Sequence, residues 1–227
     1  MHMKMTGCTR VLIIQESHTT QKYQELIERL KHIGGQKLGR HVVHCRFFNR
    51  KMLTEGYTNQ RMYMLRMSQN EGLVYAVLVN ERLRNVVGSM NGAEQVTEQR
   101  MLLEYGLEGA NILQQSEIYA SKLDGQFEGL RYVVGDFTVS VCTFMSRNNI
   151  PRGIVVEIQY SPCYEVPAVE TLFDEFMQML APNTAIRKPI VNLTAYYQSV
   201  GLSSVYSLKH TALQYVEAFN ILRKLDR

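Results

Sequence analysis

Arg131 to Tyr160, RYVVGDFTVSVCTFMSRNNIPRGIVVEIQY, is the stretch whose reading decides the fold. Phe137, Val139, Val141 and Met145 alternate with Thr138, Ser140, Cys142 and Phe144, and Ile154, Val156, Ile158 and Tyr160 alternate with Val155, Glu157 and Gln159. Period two is the mark of a strand with one face set against a core. Between the two runs, SRNNIPRG supplies Asn, Pro and Gly, which favour turn dihedrals and which a central strand avoids. The stretch reads as a hairpin whose middle carries one acid, Glu157, and little else that could do chemistry.

Working outward, Thr9 to Gln15 reads as a short apolar strand, followed by a helix from about Gln21 to His32 capped from Ser17, Thr19 or Thr20. Tyr23, Leu26, Ile27, Leu30 and Ile33 recur at helical spacing, and Gly34 and Gly35 end the run. Strands are predicted at His41–Phe48, Arg61–Ser68 and Gly72–Asn80, with a shorter one around Val86–Met90, and turns at Asn59, SQNEG and NERLRN. Glu94 to Tyr105 reads as a short helix and Ile112 to Lys122 as an extended lead into the hairpin. After it come a helix from about Ala168 to Leu180, an irregular insertion or mobile loop over 181–209, and a C-terminal helix, 210–225, with Ala212, Tyr215, Val216, Phe219 and Leu222 on one stripe.

About eight sequential strands with three helices give a mainly β, α+β chain: one antiparallel barrel domain over 1–227 with the helices packed outside it. The segment Leu73, Val74, Tyr75, Ala76, Val77, Leu78, Val79 is apolar on both faces, as is Val11–Ile14. Both faces of such strands need cover, by the helices or by a partner protein. These seven residues are therefore the candidate partner-binding segment.

At 227 residues, 45% hydrophobic and 20% charged, the chain has the composition of a folded domain with a full core. No apolar run approaches the about 20 residues of a membrane helix, and MHMKMTGCTR lacks the apolar stretch of a signal peptide, so a soluble protein made in the cytosol is expected. The four cysteines are far apart with no CxxC pair and read as reduced structural thiols. The net charge of +4 is spread along the chain, so no nucleic-acid partner is demanded.

Catalytic signatures are missing: no GxSxG, no GxxxxGK[ST], no GxGxxG. His41, His44 and Cys45 sit on one predicted strand, but alternation puts His44 on the opposite face from the other two, which cannot converge on one ion. Glu157 with Gln159 points away from the apolar face and reads as an outward, solvated or hydrogen-bonded acid, whereas a divalent cation needs several inward carboxylates. Arg40, Arg46, Arg50 and Lys51 beside Phe47 and Phe48 have the look of a stacking surface next to charge, but a strand end of this kind more often buries a Phe and solvates its charges. No catalytic, cofactor or metal residue is assigned.

RYVVGDFTVSVCTFM, then PRGIVVEIQYSPC, then a helix of the LFDEFMQML type together resemble the Mediator subunit 20 family, the TBP-related-factor-like subunits of the Mediator head module. The same order of blocks takes in KHIGGQKLG, VVHC, RMYMLRMS, LVYAVLVN and the helix LQYVEAFNILRK. Its polar and special points are Asp136, Arg152, Gly153, Glu157, Gln214, Tyr215, Glu217, Phe219 and Asn220. The resemblance implies a barrel flanked by helices, a non-catalytic subunit that pairs with Mediator subunit 18, and a tether through a helix of subunit 8. It also implies a nuclear coactivator that reaches RNA polymerase II indirectly. Subunit 18 itself is similar in plan and is one alternative; a metal-dependent phosphohydrolase barrel of the RNA triphosphatase type is another, and it would need inward acids that the hairpin lacks. Direct DNA binding in the manner of TATA-binding protein is suggested only by the family's label.

Overall fold

A computed structural model of the chain describes residues 7–15, 19–85, 94–146 and 150–226. In chain order the elements are β1 (Cys8–Ile14), α1 (Thr19–His32), β2 (Gln36–Arg50), β3 (Asn59–Met67), β4 (Leu73–Asn85), β5 (Glu94–Gly106), α2 (Leu107–Gln115), β6 (Tyr119–Val134) and β7 (Phe137–Met145). They continue with β8 (Pro151–Tyr160), α3 (Glu170–Leu180), β9 (Ile186–Arg187), α4 (Leu193–Ser199) and α5 (Leu208–Leu222). The nine strands form one antiparallel sheet in the order β5-β4-β3-β2-β6-β7-β8-β1-β9. Among the described residues no pairing joins β5 to β1 or β9, so the sheet is curled and open, a barrel-like α+β fold.

The opening hairpin becomes three strands. Tyr119–Val134 runs into Phe137–Met145 across Gly135, whose φ of 55° is the left-handed conformation that a two-residue hairpin needs. Directly opposed residues share a face of the sheet. On β8 the pairing places Ile154, Val156 and Ile158 beside Val139 and Val141 of β7, on the convex face. There Phe137 of β7 packs in a tilted pair with Phe176 of α3, 4.5 Å between ring centroids, and α1 packs on β7 and β8 with Leu26, Ile27 and Leu30 buried.

The concave face curls around α5. Phe219 lies edge-on to Tyr63 of β3 and to Phe144 of β7, strands on opposite walls. Two glycines admit the helix: a methyl group at Gly125 would lie 2.6 Å from the Phe144 ring and 2.7 Å from that of Phe219, and one at Gly153 would lie 2.7 Å from Leu222. Because both sides of it meet protein, α5 is buried nearly all round, from His210 and Thr211 to Phe219 and Leu222. Its start is fixed by Ser207 and His210, which cap each other reciprocally.

The α+β, barrel-like class expected from sequence is the one observed, and its details differ in instructive ways. Glu94–Tyr105, expected as a helix, is strand β5, paired with β4 from Leu73↔Gly106 to Asn85↔Glu94; a full edge of hydrogen bonds outweighs the helix propensity of its Glu, Gln, Met and Leu residues. NERLRN continues β4 instead of turning. The region from 112 to 122 is not uniformly extended, since α2 occupies its first part. The 181–209 segment is ordered into β9, which pairs with β1, and α4, which Asn192 caps by accepting a hydrogen bond from the Ala195 N–H at 2.9 Å. Among the described residues there are five α-helices, and the last lies in the mouth of the sheet and not outside it. The short strand expected at Val86–Met90 falls outside the described residues.

Candidate functional site

The residues with the most chemistry converge on the seat of α5. Glu157 of β8, predicted to point outward, is 1% exposed and faces the concave interior. Its Oε1 accepts from Arg131 Nη2 (2.6 Å) and Gln69 Nε2 (2.7 Å), and its Oε2 accepts from the Tyr215 hydroxyl (2.8 Å) with His41 Nε2 at 3.4 Å. Arg131 Nε also donates to Ser140 Oγ at 3.0 Å. Register explains the convergence: Glu157 is opposite Ser140, Ser140 opposite Arg131, and His41 opposite Gly129 two residues along, so the sheet presents all four on one face.

Burial by itself would raise the Glu157 carboxyl. The neighbouring His41, then Arg131 and the Tyr215 hydroxyl, outweigh it and hold the group down at about 2. Burial, with the Glu157 charge beside it, pushes the Tyr215 hydroxyl in the opposite direction, so it stays a donor. Each carboxylate oxygen already has its partners and the guanidinium supplies the countercharge, whereas a divalent cation would require several oxygen ligands. This arrangement fixes α5 against β2, β6 and β8.

The same helix also closes the gap between the sheet's edges. Only Ile13 and Ile14 of β1 pair with β9, and the rest of that edge is completed by side chains. Gln214 behaves as a neighbouring strand would: the Val11 N–H donates to its Oε1 at 2.9 Å and its Nε2 donates to the Thr9 carbonyl at 2.8 Å. The Tyr206 hydroxyl donates to that carbonyl too, at 2.9 Å. On the other edge, Arg100 of β5 is ion-paired with Glu217 of α5 and hydrogen-bonded to Tyr196 of α4. Tyr63 of β3 donates to Asn220 at 2.9 Å. Gly153, Glu157, Gln214, Tyr215, Glu217, Phe219 and Asn220, among the points on which the family resemblance rests, all belong to this one seat.

The β4 segment divides between two cores. Leu73, Tyr75, Val77 and Val79 join the interior, while Val74, Ala76 and Leu78 join a smaller outer cluster with Phe48, Met62 and Met64, roofed by Ala110 and Leu113 of α2. Val74, Tyr75, Ala76, Val77 and Val79 are buried by the chain itself; Leu73 and Leu78 are half-buried. Leu78 is opposite Met101 of β5, which is exposed.

At the basic strand end both rings are covered, Phe47 in the interior and Phe48 in the outer cluster. Arg40, Arg46 and Lys51 are ion-paired with Glu128, Asp124 and Glu117. His41 and Cys45 do share the inner face, and His44 lies on the outer one, exposed. Sequence reasoning named Glu157 and Tyr215 but not their meeting, and it missed Arg131 and Gln69. The available signal was IVVEI itself: with Ile154, Val155, Val156 and Ile158 apolar on both faces, Glu157 is buried whichever way it points.

A curled antiparallel sheet plugged by its own last helix defines a filled, barrel-like α+β fold. The family model for "TATA-binding related factor (TRF) of subunit 20 of Mediator complex" matches residues 3–220, and the chain belongs to that family. It is 27% identical over 224 residues to Mediator of RNA polymerase II transcription subunit 20 of Gallus gallus, covering 98% of this chain and 95% of that protein. It is 27% identical over 221 residues to the Homo sapiens protein of the same name, covering 96% and 93%. Among solved structures, a chain of the Schizosaccharomyces pombe Mediator head module aligns with a TM-score of 0.38 and 10% identity over 80% of this chain and 98% of that one.

Proposed function

We propose that this protein is a non-catalytic subunit of the Mediator head module. It pairs with subunit 18, is tethered with it through a helix of subunit 8, and acts in the nucleus on RNA polymerase II transcription through those contacts. The observation that carries the reading is the family match over residues 3–220 of the chain. The filled interior supports it: Tyr215, Phe219 and Leu222 occupy the space in which a barrel enzyme would hold a substrate, and Glu157 is already neutralised by Arg131. The half-buried Leu78, beside the exposed Met101 opposite it on β5, is the part of the predicted segment left for a partner to cover.

Co-expression with subunits 18 and 8 of the same source tests this. A stable complex is expected on size exclusion, weakened when Leu78→Asp and Met101→Asp are combined in a chain that still folds. A folded, monodisperse chain that does not bind subunit 18 would overturn the reading. Phosphate release from a triphosphate substrate with magnesium or manganese, abolished by Glu157→Ala, would favour the phosphohydrolase reading instead.

A further inference from the structure

Cys8 begins β1 and Cys163 lies in the turn between β8 and α3, 155 positions apart in sequence. The Cys8 N–H donates to the Cys163 carbonyl at 2.7 Å, extending the β1–β8 ladder just past its last pair, Cys8↔Tyr160. This bond sets the two cysteines side by side at the end of the ladder. Both are free cysteines, and they differ in access: Cys8 is fully buried, Cys163 half-buried. The Cys163 sulfur is held in place by the Glu165 backbone, whose N–H lies 3.5 Å away and whose carbonyl lies 3.4 Å away. Cys45 and Cys142, in contrast, are buried on separate strands.

We propose that Cys8 and Cys163 are an oxidation site that closes to an intramolecular disulfide with a low-molecular-weight disulfide such as oxidised glutathione. Cys163, the less buried thiol, loses its proton and attacks one sulfur of the oxidant. The oxidant's S–S bond breaks, one glutathione leaves as thiolate and takes up a proton, and Cys163 carries a mixed disulfide. Cys8 then loses its proton and attacks the Cys163 sulfur, releasing the second glutathione. The two protein thiols are oxidised by two electrons and one glutathione disulfide is reduced to two thiols.

The order of events follows from environment. Burial, assisted by Cys163 and Glu165, pushes the Cys8 thiol up to about 12, so Cys8 does not react first. Once Cys163 is capped, the like charge it would place beside Cys8 is removed. The product links the start of β1 to the segment entering α3, closing a loop that contains most of the chain. Constraining so long a loop in the unfolded state stabilises the oxidised form.

The test incubates the folded full-length chain with oxidised glutathione, quenches by alkylation, and reads intact mass and a non-reduced peptide map. The expected product has lost two hydrogens, contains a linked Cys8–Cys163 peptide, and melts on the order of 5 °C higher than the reduced chain. Cys163→Ser should give neither the link nor an adduct at Cys8. In Cys8→Ser, if it folds, the mixed disulfide should persist on Cys163. A wild-type reaction that stops at the mixed disulfide, or a map that links Cys163 to Cys45 or Cys142, overturns the proposal.

Discussion

The two halves of the sheet solve the same burial problem by different means. In the half made by β6, β7, β8 and β1, the convex face lies under α1 and α3 and the concave face against α5, so Ile154, Val155, Val156 and Ile158 all reach zero exposure. In the half made by β3, β4 and β5, the described residues that roof the convex face are those of the nine-residue α2, and the buried members of the cluster are Phe48, Met62, Met64, Val74, Ala76 and Ala110. The first half is a core sealed on both sides. The second has a firm inner face and a thin outer one, which is where local opening is cheapest and where a partner has something to add.

Substitutions in the two halves should therefore differ in size and in reach. The largest effect is expected at the helix that both halves grip. Phe219→Ala removes a fully buried ring that touches Tyr63 and Phe144 and should cost about 4 kcal/mol in urea unfolding, read at every probe in the chain. A loss below about 1 kcal/mol would mean that the concave face does not depend on α5.

Next comes the Glu157 cluster in the sealed half. Its folded carboxyl titrates at about 2, below the ordinary value of 4.5, so its contribution is complete above that ordinary value and is lost as pH falls towards 2. The shift corresponds to on the order of 3 kcal/mol of stability between those limits. Glu157→Gln should be less stable than wild type at pH 7, with the difference closing across that acid window. Parallel stability curves for the two proteins between pH 5 and about 2 would contradict the assignment.

A smaller and more local effect is expected under α2. Leu113→Ala thins the outer cluster at a half-buried position and should cost about 1 kcal/mol. Limited proteolysis should then cut first near α2, with fragments containing β6, β7 and β8 left intact. The smallest effect belongs to Ile112→Ser, one residue away and 68% exposed, where stability should change by less than about 0.5 kcal/mol. A measurable loss of subunit 18 binding in that folded variant would sharpen the comparison by placing the partner on the thin half.

The same division marks what could be read from sequence. β7, β8, α1 and α3 were all legible, the strands from β-branched runs bounded by turn residues and the helices from one apolar stripe against the core. β5 was not: Met101, Leu102 and Leu103 are consecutive, and the residues are helix formers, so only pairing with β4 makes them a strand. α2 hid for a related reason, since Ala110 and Leu113 give a short helix too few apolar positions to show a stripe. The site was half legible. Glu157 and Tyr215 stood out as residues, but their contact spans 58 positions and depends on the sheet curling round α5, which no local pattern encodes.

α5 belongs to the core of the molecule, whereas α2 is a removable roof. Native-state hydrogen exchange on the isolated chain tests it in one experiment. The amides of α5 from Ala212 to Phe219 should exchange only through global unfolding, with the same free energy as β7 and β8, and those of α2 should exchange faster through a local opening that leaves β7 and β8 protected. If α5 exchanges as fast as α2, the helix is not the plug of the barrel and the account fails.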